Sequence, residues 1–463
     1  MSFWTNAAKF IPEVNDPEQK RLLFKEKLKW TLLILVLFFV LGAIPLFGLG
    51  QNALENFEFL SVVLGAQFGS LISLGIGPLV TSSIVLQLLV GSGLVNLNTA
   101  TPEGKTEFQS MTRVFSIVFI LLEAAIYVFF GGLAPPADLV GTALYFRLEL
   151  LLVFQLIIGG ILIMFMASVI DKWGFSQGIS LFIAANVAQS LFVQLFSFEA
   201  SPQLPDVAIG AIPSLFQSLA AGNPTAAMLR AAAILATILV FGLAVYAQSM
   251  KVEIPLSFGR IRGHGIRWPL SFLYTSNIPV ILIAALIANL QLFARLLSNV
   301  GYPLLGTFQG NSPVSGIVLW FSAPNIVQAI ITRTITPLIV AHAIVYILIL
   351  MAGSVVFSYF WIQTANMDAA SQAKNIMNSG LQIPGFRRDP RVLEHLLSRY
   401  ILPLTVMGGL AIGFLAGFAD ITGALANGTS IILAVMIVYK LYEEIAKQHM
   451  MDMHPMLRKF MAE

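Results

Sequence analysis

Residues 30–47 run WTLLILVLFFVLGAIPLF, an apolar stretch that approaches the length needed to cross a bilayer as a helix. No lysine or arginine then occurs from position 30 to position 104, so the chain leaves one side of a membrane and returns within that interval. Of the 463 residues, 57% are hydrophobic and 11% are charged, and the mean hydropathy is +0.84. This composition excludes a soluble enzyme, a nucleic-acid-binding protein and a disordered scaffold, and it predicts a multi-pass helical membrane protein.

The sequence contains few residues suited to metal, redox or nucleotide chemistry. The chain contains no cysteine, which removes disulfides and thiolate metal sites. Its five histidines never occur at the i, i+4 spacing of a helical metal pair. Nothing resembles a phosphate-binding P-loop. We therefore expect no cofactor, no metal and no enzymatic activity.

Apolar length and helix-breaking residues predict ten spans. They lie at residues 30–47, 72–95, 111–131, 148–170, 177–197, 229–249, 271–294, 337–362, 401–419 and 425–446. With the N-terminus inside, the only basic residues on the outer side are Arg147, Arg230, Arg295 and Arg333, out of 26 in the chain. This asymmetry predicts that both termini are cytosolic.

The spans divide the chain into predicted domains. These are a cytosolic amphipathic N-terminal helix (1–29), an N-terminal half with spans one to five (30–197), an external hinge connection (198–228), a C-terminal half with spans six to ten and cytosolic loops 250–270 and 363–400 (229–446), and a cytosolic tail (447–463). The N-terminal helix is predicted to begin at Asp16, ahead of a basic stretch that lies on the cytosolic leaflet or simply flanks the first span. Because each half has five spans, the halves are expected to be inverted relative to each other.

Between the first two spans, the segment 57–65 (FEFLSVVLG) is too apolar for a solvated loop and too short to cross a membrane. It predicts a half-helix that re-enters the protein, which is allowed at membrane depth only where protein or a water-filled cavity surrounds it. A loop packed on the outer surface is the alternative.

Polar residues are scarce within the spans. Glu123 is the only ionisable residue well inside a helix, which favours a hydrogen bond to a neighbouring helix over ion coupling. Thr81, Gln87 and Asn277 either make ordinary interhelical hydrogen bonds or form a polar seam that can open.

The two cytosolic loops carry arginines among glycines. Such loops suit binding to phosphate backbones or acidic protein surfaces, because the guanidinium fork is bidentate and weakly hydrated. An anchor on lipid head groups is the alternative.

Six stretches resemble the SecY family, the channel subunit of the general protein translocon. They are FKEKLKWT (24–31), LGIGPLVTSSIVLQLLVGSG (74–93), GISLFIAANV (178–187), KVEIPLSFGRIRG (251–263), YTSNIPVIL (274–282) and NGTSIILAVMIVYKLYE (427–443). They occur in the family's order from about residue 10 to residue 450. The FGRIRG segment and the short loops resemble archaeal members, with the homologue of the eukaryotic endoplasmic reticulum as second choice.

The resemblance implies a passive all-helical channel of ten spans in two pseudo-symmetric halves, with a lateral gate where spans two and three meet spans seven and eight. It assigns a pore constriction to Ile76, Val80, Ile179, Ile183, Ile281 and Leu433. It places a plug at about 55–69, with Phe57, Phe59, Leu60, Val62, Val63 and Leu64. The polar gate residues become Thr81, Gln87 and Asn277, and the ribosome-docking residues become Arg260, Arg262, Arg387 and Arg388.

The partners implied by the resemblance are SecE-type and small beta-type translocon subunits, the ribosome with its RNA near the basic loops, nascent secretory and membrane polypeptides, and membrane lipids. The expected location is the plasma membrane of an archaeon, with the endoplasmic reticulum membrane as the alternative. Two other functions remain open from the residues alone. One is a secondary transporter of a small solute, and the other is a non-conducting subunit that anchors ribosomes or enzymes.

Overall fold

A computed structural model describes the whole chain apart from residues 1–5, 7, 9–10, 19–21, 51–68, 92–93, 96, 98–100, 131, 199, 202–203, 259–264, 276–277, 300, 310–311, 379–380, 383–389, 426–427 and 454–463. The described residues form a helical bundle with three small antiparallel sheets.

Ten long helices lie among the described residues. They are α1 (Phe24–Gly42), α2 (Gly77–Gly91), α3 (Pro102–Phe129), α4 (Ala143–Trp173), α5 (Gly178–Phe196), α6 (Pro224–Ser249), α7 (Ile278–Asn299), α8 (Pro337–Thr364), α9 (Pro390–Ile421) and α10 (Gly428–Met453). Seven of them, α3 to α9, are long and apolar enough by length and composition to cross a membrane. The other three coincide with the remaining predicted spans, which is consistent with a ten-span architecture.

Three of these helices begin with the same local signal. Thr101, Asn223 and Thr336 each accept a hydrogen bond from a backbone N–H of the first helical turn, and each is followed directly by proline. Such a cap satisfies one of the unpaired N–H groups at a helix start, and proline at the first helical position loses no hydrogen bond. These signals explain why α3 and α6 start several residues before the predicted spans.

The prediction of a helix beginning at Asp16 is wrong. Residues 11–18 are not helical, and α1 begins only at Phe24. The reason is tertiary, because side chains of α3 and α4 bind this segment and hold it as a strap. Lys25, Lys27 and Lys29 lie in the first turns of α1 rather than in a separate surface helix.

The main apolar cluster draws on both halves of the chain and occupies the middle of the bundle. In it, the ring of Phe38 stacks on that of Phe182 with centroids 4.7 Å apart. Close helix packing beside this cluster depends on glycine. A Cβ atom on Gly159 of α4 would lie 1.8 Å from the carbonyl oxygen of Leu71, so no larger residue fits without moving the backbone.

The first two strands of the chain are β1 (Ala200–Ser201) and β2 (Leu204–Ala208). The predicted cytosolic loop 250–270 then contains a β-hairpin formed by β3 (Lys251–Phe258) and β4 (Gly265–Ser271). The second loop contributes a helix, Ala369–Asn378, and a short strand at Leu381–Gln382 that pairs with β3. We refer to the side of the bundle that carries this sheet and residues 11–18 as the basic side. It is the side predicted to be cytosolic.

The opposite side carries smaller elements. The connection from α5 to α6 contains strands Ala200–Ser201 and Leu204–Ala208 and the helix Ala211–Ala220. The connection from α7 to α8 contains strands Phe308–Gln309 and Ser312–Pro313 and the short helices Ile317–Trp320 and Ile326–Ile331. These elements pack over the helix ends on this side, so the connections are structured rather than simple loops.

Candidate pore and lateral seam

The six aliphatic residues assigned to a pore constriction all lie in or against the main apolar cluster. They are Ile76 and Val80 at the start of α2, Ile179 and Ile183 in the first turns of α5, Ile281 in α7 and Leu433 in α10. Five belong to the main apolar cluster and Ile179 packs against it. We call these six residues the aliphatic ring. Apart from Ile179, none exposes more than 9% of its surface, so the ring is tightly packed in this conformation.

A cavity of about 930 Å³ opens on the basic side of the aliphatic ring. Val80, Ile179 and Ile281 contribute to its apolar wall. Its remaining wall combines apolar and polar side chains, and it includes six charged residues from the helix ends and from segment 11–18, namely Glu13, Asp16, Lys105, Arg113, Asp171 and Lys172. The positive and negative groups balance in number, so the cavity is wettable without strongly favouring either sign of charge.

The boundary between the two halves is a polar seam. Helix α2 contacts both α7 and α8, and we call this boundary the lateral seam. Within the part of the chain that the structure describes, one side-chain hydrogen bond crosses it, from Asn289 Nδ2 in α7 to Thr81 Oγ1 in α2, at 2.9 Å. Thr81 Oγ1 also lies 2.9 Å from the Gly77 carbonyl oxygen of its own helix. A hydroxyl group has one hydrogen, so Thr81 donates to one acceptor at a time.

Glu123 of α3 is buried at 3% exposure and interacts electrostatically with Thr81 of α2, and its hydrogen bond to a neighbouring helix stays a prediction. A second buried contact joins the same two helices, because Ser82 Oγ of α2 and Ser116 Oγ of α3 lie 2.8 Å apart. Helices α2 and α3 are therefore linked by polar contacts on one side of the lateral seam.

The three predicted gate residues differ in where the structure places them. Thr81 lies on the lateral seam, whereas Asn277 lies outside the described residues. Gln87 is buried at 3% exposure and lines the cavity, and its Oε1 atom has no hydrogen-bond partner within the described part of the chain. Asn289 is a seam residue that was not predicted from the sequence. Its signal was available, because it is an amide that interrupts an apolar run of α7, two residues before Gln291.

The predicted plug residues Phe57, Phe59, Leu60, Val62, Val63 and Leu64 lie outside the described residues. The backbone on the two sides of this segment is paired. Leu46 N donates to Gly69 O at 2.8 Å, and Leu71 N donates to Ile44 O at 2.9 Å. The chain therefore departs from and returns to neighbouring positions between α1 and α2.

The four predicted ribosome-docking arginines, Arg260, Arg262, Arg387 and Arg388, also lie outside the described residues. Their flanking strands are adjacent, because Phe258 of β3 pairs with Leu381 and Ser257 pairs with Gln382. The structure thus brings the bases of the two basic segments together on one sheet, although more than 120 positions separate them in sequence.

Charged side chains bind the N-terminal segment 11–18, which we call the strap, at the mouth of the cavity. Glu13 forms ion pairs with Arg113 of α3 and Lys172 of α4. The hydrogen bond from Arg113 and then that from Lys172 lower the pKa of Glu13 to about 2. The carboxylate is therefore charged throughout the physiological pH range.

No group of three or more histidine, cysteine or acidic side chains in the described ranges could hold a metal ion. The site instead consists of an apolar ring, a balanced polar cavity and a seam between helices. Together with the long apolar helices, these features define a polytopic membrane protein with a candidate pore between its two halves.

Comparison with known proteins agrees with this class. The SecY family profile matches residues 70–442, and the profile of the plug domain of Sec61p matches residues 36–69. A relative from Methanothermobacter thermautotrophicus, the protein translocase subunit SecY, is 42% identical over 98% of this chain and 97% of its own length. The chain belongs to the SecY family.

Solved structures show the same fold. The structure of a protein-conducting channel superposes with a TM-score of 0.82 at 37% identity, covering 97% of this chain and 98% of the other. Sec61 in the canine ribosome-channel complex from the endoplasmic reticulum superposes with a TM-score of 0.79 at 37% identity, again covering 97% and 98%. The described helices therefore adopt the architecture of this family from end to end.

Proposed function

We propose that this chain is the central protein-conducting subunit of a translocon. It passes unfolded secretory chains through the aliphatic ring and releases membrane segments through the lateral seam. The observation that carries the proposal is that six aliphatic side chains from four parts of the chain belong to or pack against one apolar cluster, and that Val80, Ile179 and Ile281 among them line the cavity. The relatives' description as protein translocase and protein-conducting channel supports it.

The ring suits a passive pore for a polypeptide. Branched aliphatic side chains provide no ligands for ions, so a closed ring is too dry to conduct them. The same side chains offer a passing polypeptide only weak, non-directional contacts, so sequences of many kinds can slide past. The chain is a channel subunit rather than an enzyme, and the energy for movement comes from a partner such as the translating ribosome.

The lateral seam suits a gate towards lipid. It combines the apolar contacts between α2 and the helices α7 and α8 with the hydrogen bond from Asn289 to Thr81. Separating the seam exposes these polar groups to lipid, which is unfavourable unless a new helix replaces the lost contacts. An apolar signal or membrane segment supplies such a helix. Thr81, Gln87 and Asn277 are proposed as the polar residues of this gate.

The remaining predicted parts complete the proposal. Residues 55–69 form the plug, in agreement with the family profile over 36–69. Arg260, Arg262, Arg387 and Arg388 dock the ribosome, with contacts to ribosomal RNA, supported by the adjacency of β3 and the strand at Leu381–Gln382. SecE-type and small beta-type subunits, nascent polypeptides and membrane lipids are the other partners.

We place the protein in the plasma membrane of an archaeon, with both termini cytosolic, because the positive-inside asymmetry and the archaeal relative point the same way. Apart from the N-terminal helix at 1–29, the proposed domains keep the predicted boundaries, with halves at 30–197 and 229–446 joined by the external connection 198–228. The alternative function of a secondary transporter is no longer supported, because the chain belongs to a family of protein translocases.

A substitution in the aliphatic ring tests the proposal. Ile179→Asn and Ile281→Asn each place an amide in the ring, which lets water and ions enter. We expect a higher ion leak in planar bilayers and increased translocation of secretory proteins with defective signals. Ile281→Val, which keeps the position apolar and branched, is the matched control and should stay sealed. Unchanged leak and unchanged rejection of defective signals in both asparagine variants would contradict the proposed pore.

A further inference from the structure

The strap is fastened to two helices through charged and polar contacts. Glu13 Oε1 pairs with Arg113 of α3 and lies 2.8 Å from Lys172 Nζ of α4. Lys172 Nζ also donates to the Val14 carbonyl oxygen at 2.7 Å, and Trp173 Nε1 donates to the Asn15 carbonyl oxygen at 2.9 Å. The strap is thus held firmly on α4, and the pair between Glu13 and Arg113 is its ionic attachment to α3.

Arg113 is connected to the lateral seam by a short route. Ser116 lies one turn further along α3, and its hydroxyl is 2.8 Å from that of Ser82 in α2. The neighbouring residue in α2, Thr81, accepts the hydrogen bond of Asn289 across the seam. A force on the basic end of α3 therefore acts on the α2 side of the seam through a few direct contacts.

Helix α4 packs against α3, α1 and α5, all on the N-terminal side of the molecule. When the seam opens, α2 and α3 must shift relative to α7 and α8. Glu13 bridges Arg113 of α3 and Lys172 of α4. If the shift moves the basic end of α3 away from α4, this bridge is stretched. The strap then resists opening.

The strength of this bridge suits an adjustable restraint. The Arg113 and Lys172 side chains are 29% and 20% exposed, and that of Glu13 is 48% exposed. Partly exposed ion pairs are weak compared with a packed core and are screened by salt. The bridge can therefore favour the closed seam without preventing it from opening.

We propose that Glu13 is a positioning residue that sets the signal stringency of the channel, by restraining α3 against α4 and so favouring the closed lateral seam. This inference rests on the proposed function of the seam as a gate. It assigns control of signal stringency to a residue at the mouth of the cavity, outside the seam and the aliphatic ring.

The test measures signal stringency in membrane vesicles that contain the full chain with its partner subunits. Its readout is the translocation of a secretory protein with a defective signal, divided by that of the same protein with an intact signal. Glu13→Gln and Arg113→Gln should each raise this ratio about two- to fivefold, the range expected for loss of a partly exposed ion pair. The double variant should match the single variants, because both remove the same bridge.

Two controls separate this role from general damage to the fold. Asp16→Asn removes an ion pair from the same strap that reaches Lys172 of α4 but not α3, and it should leave the ratio unchanged. Arg113→Lys keeps the positive charge and should restore most of the stringency. An increase in Asp16→Asn as large as in Glu13→Gln would overturn the proposal.

A second measurement does not depend on translocation. Cysteines replacing Thr81 and Asn289, in the otherwise cysteine-free chain, form a disulfide only when the seam is closed. Adding Glu13→Gln should slow disulfide formation, and an unchanged rate together with an unchanged stringency ratio would refute the role of Glu13. If the wild-type vesicles did not translocate even the intact signal, the proposed channel function itself would fail.

Discussion

The hydrogen bond across the lateral seam allows one quantitative prediction. Asn289→Ala removes the only side-chain hydrogen bond between α2 and α7 that the described residues show, from Asn289 Nδ2 to Thr81 Oγ1 at 2.9 Å. Thr81 keeps the Gly77 carbonyl oxygen as a partner at 2.9 Å, so the variant leaves no unpaired hydroxyl. The loss is then that of one ordinary hydrogen bond, about 1 kcal/mol. This corresponds to an opening equilibrium about fivefold more favourable.

The shift in the opening equilibrium of the lateral seam can be measured by pulsed electron paramagnetic resonance. Leu94, just after α2, and Tyr359 in α8 are 77% and 46% exposed, so single cysteines at both positions accept spin labels in this cysteine-free chain. In nanodiscs titrated with a signal peptide, the Asn289→Ala variant should reach half-opening at about one fifth of the wild-type peptide concentration.

Thr81→Val is the matched partner variant, because it removes the hydroxyl group at nearly constant volume. Its effect combined with Asn289→Ala should be smaller than the sum of the single effects, since both remove the same bond. An unchanged half-opening concentration in Asn289→Ala, or full additivity with Thr81→Val, would refute the assignment of this bond to the closed seam.

Three further predictions concern docking, packing and charge. Arg260→Glu with Arg262→Glu should weaken ribosome binding in a cosedimentation assay, and equal affinity would remove the docking assignment. Gly159→Val should lower the thermal unfolding temperature strongly, whereas Gly242→Val, where a Cβ atom meets nothing within 4 Å, should not. The pKa of Glu13 is lowered from 4.5 to about 2, so its stabilisation of the strap should persist from neutral pH to about 4.5 and fade as the pH falls towards 2. Fluorescence of the adjacent Trp173 would detect that release, and release already near pH 6 would contradict it.

The sequence was sufficient to predict the spans. Apolar length located all ten long helices, since residues in lipid must satisfy their backbone hydrogen bonds within a helix. It located their ends less well, because α3 and α9 continue beyond the apolar stretch into polar residues. Capping signals such as Thr101 followed by Pro102 mark the true start of α3 and were present in the sequence.

The hairpin on the basic side was missed although its pattern was present. In β3, apolar residues alternate at Val252, Ile254, Leu256 and Phe258, and in β4 at Ile266, Trp268 and Leu270. Alternation of this kind predicts strands with one buried face.

The strap and the seam depend on contacts that local sequence does not reveal. Asp16, Pro17 and Gln19 form a good helix-start signal, but the strap is held extended by residues about 100 and 160 positions away. The pairing of Asn289 with Thr81 likewise joins residues 208 positions apart. Pattern analysis finds such polar residues but cannot identify their partners.

Cross-linking to a translocating chain tests the central claim most directly. Because the chain has no native cysteine, single cysteines can be placed at Ile179 and Ile281 of the aliphatic ring, with Ile238, a 63% exposed residue of α6, as the control outside the ring. A secretory chain carrying one cysteine is then stalled partway through translocation. We predict disulfide adducts at positions 179 and 281 and none at 238. The absence of adducts at both ring positions for every register of the stalled chain, while ribosomes still bind, would contradict a polypeptide path through the ring.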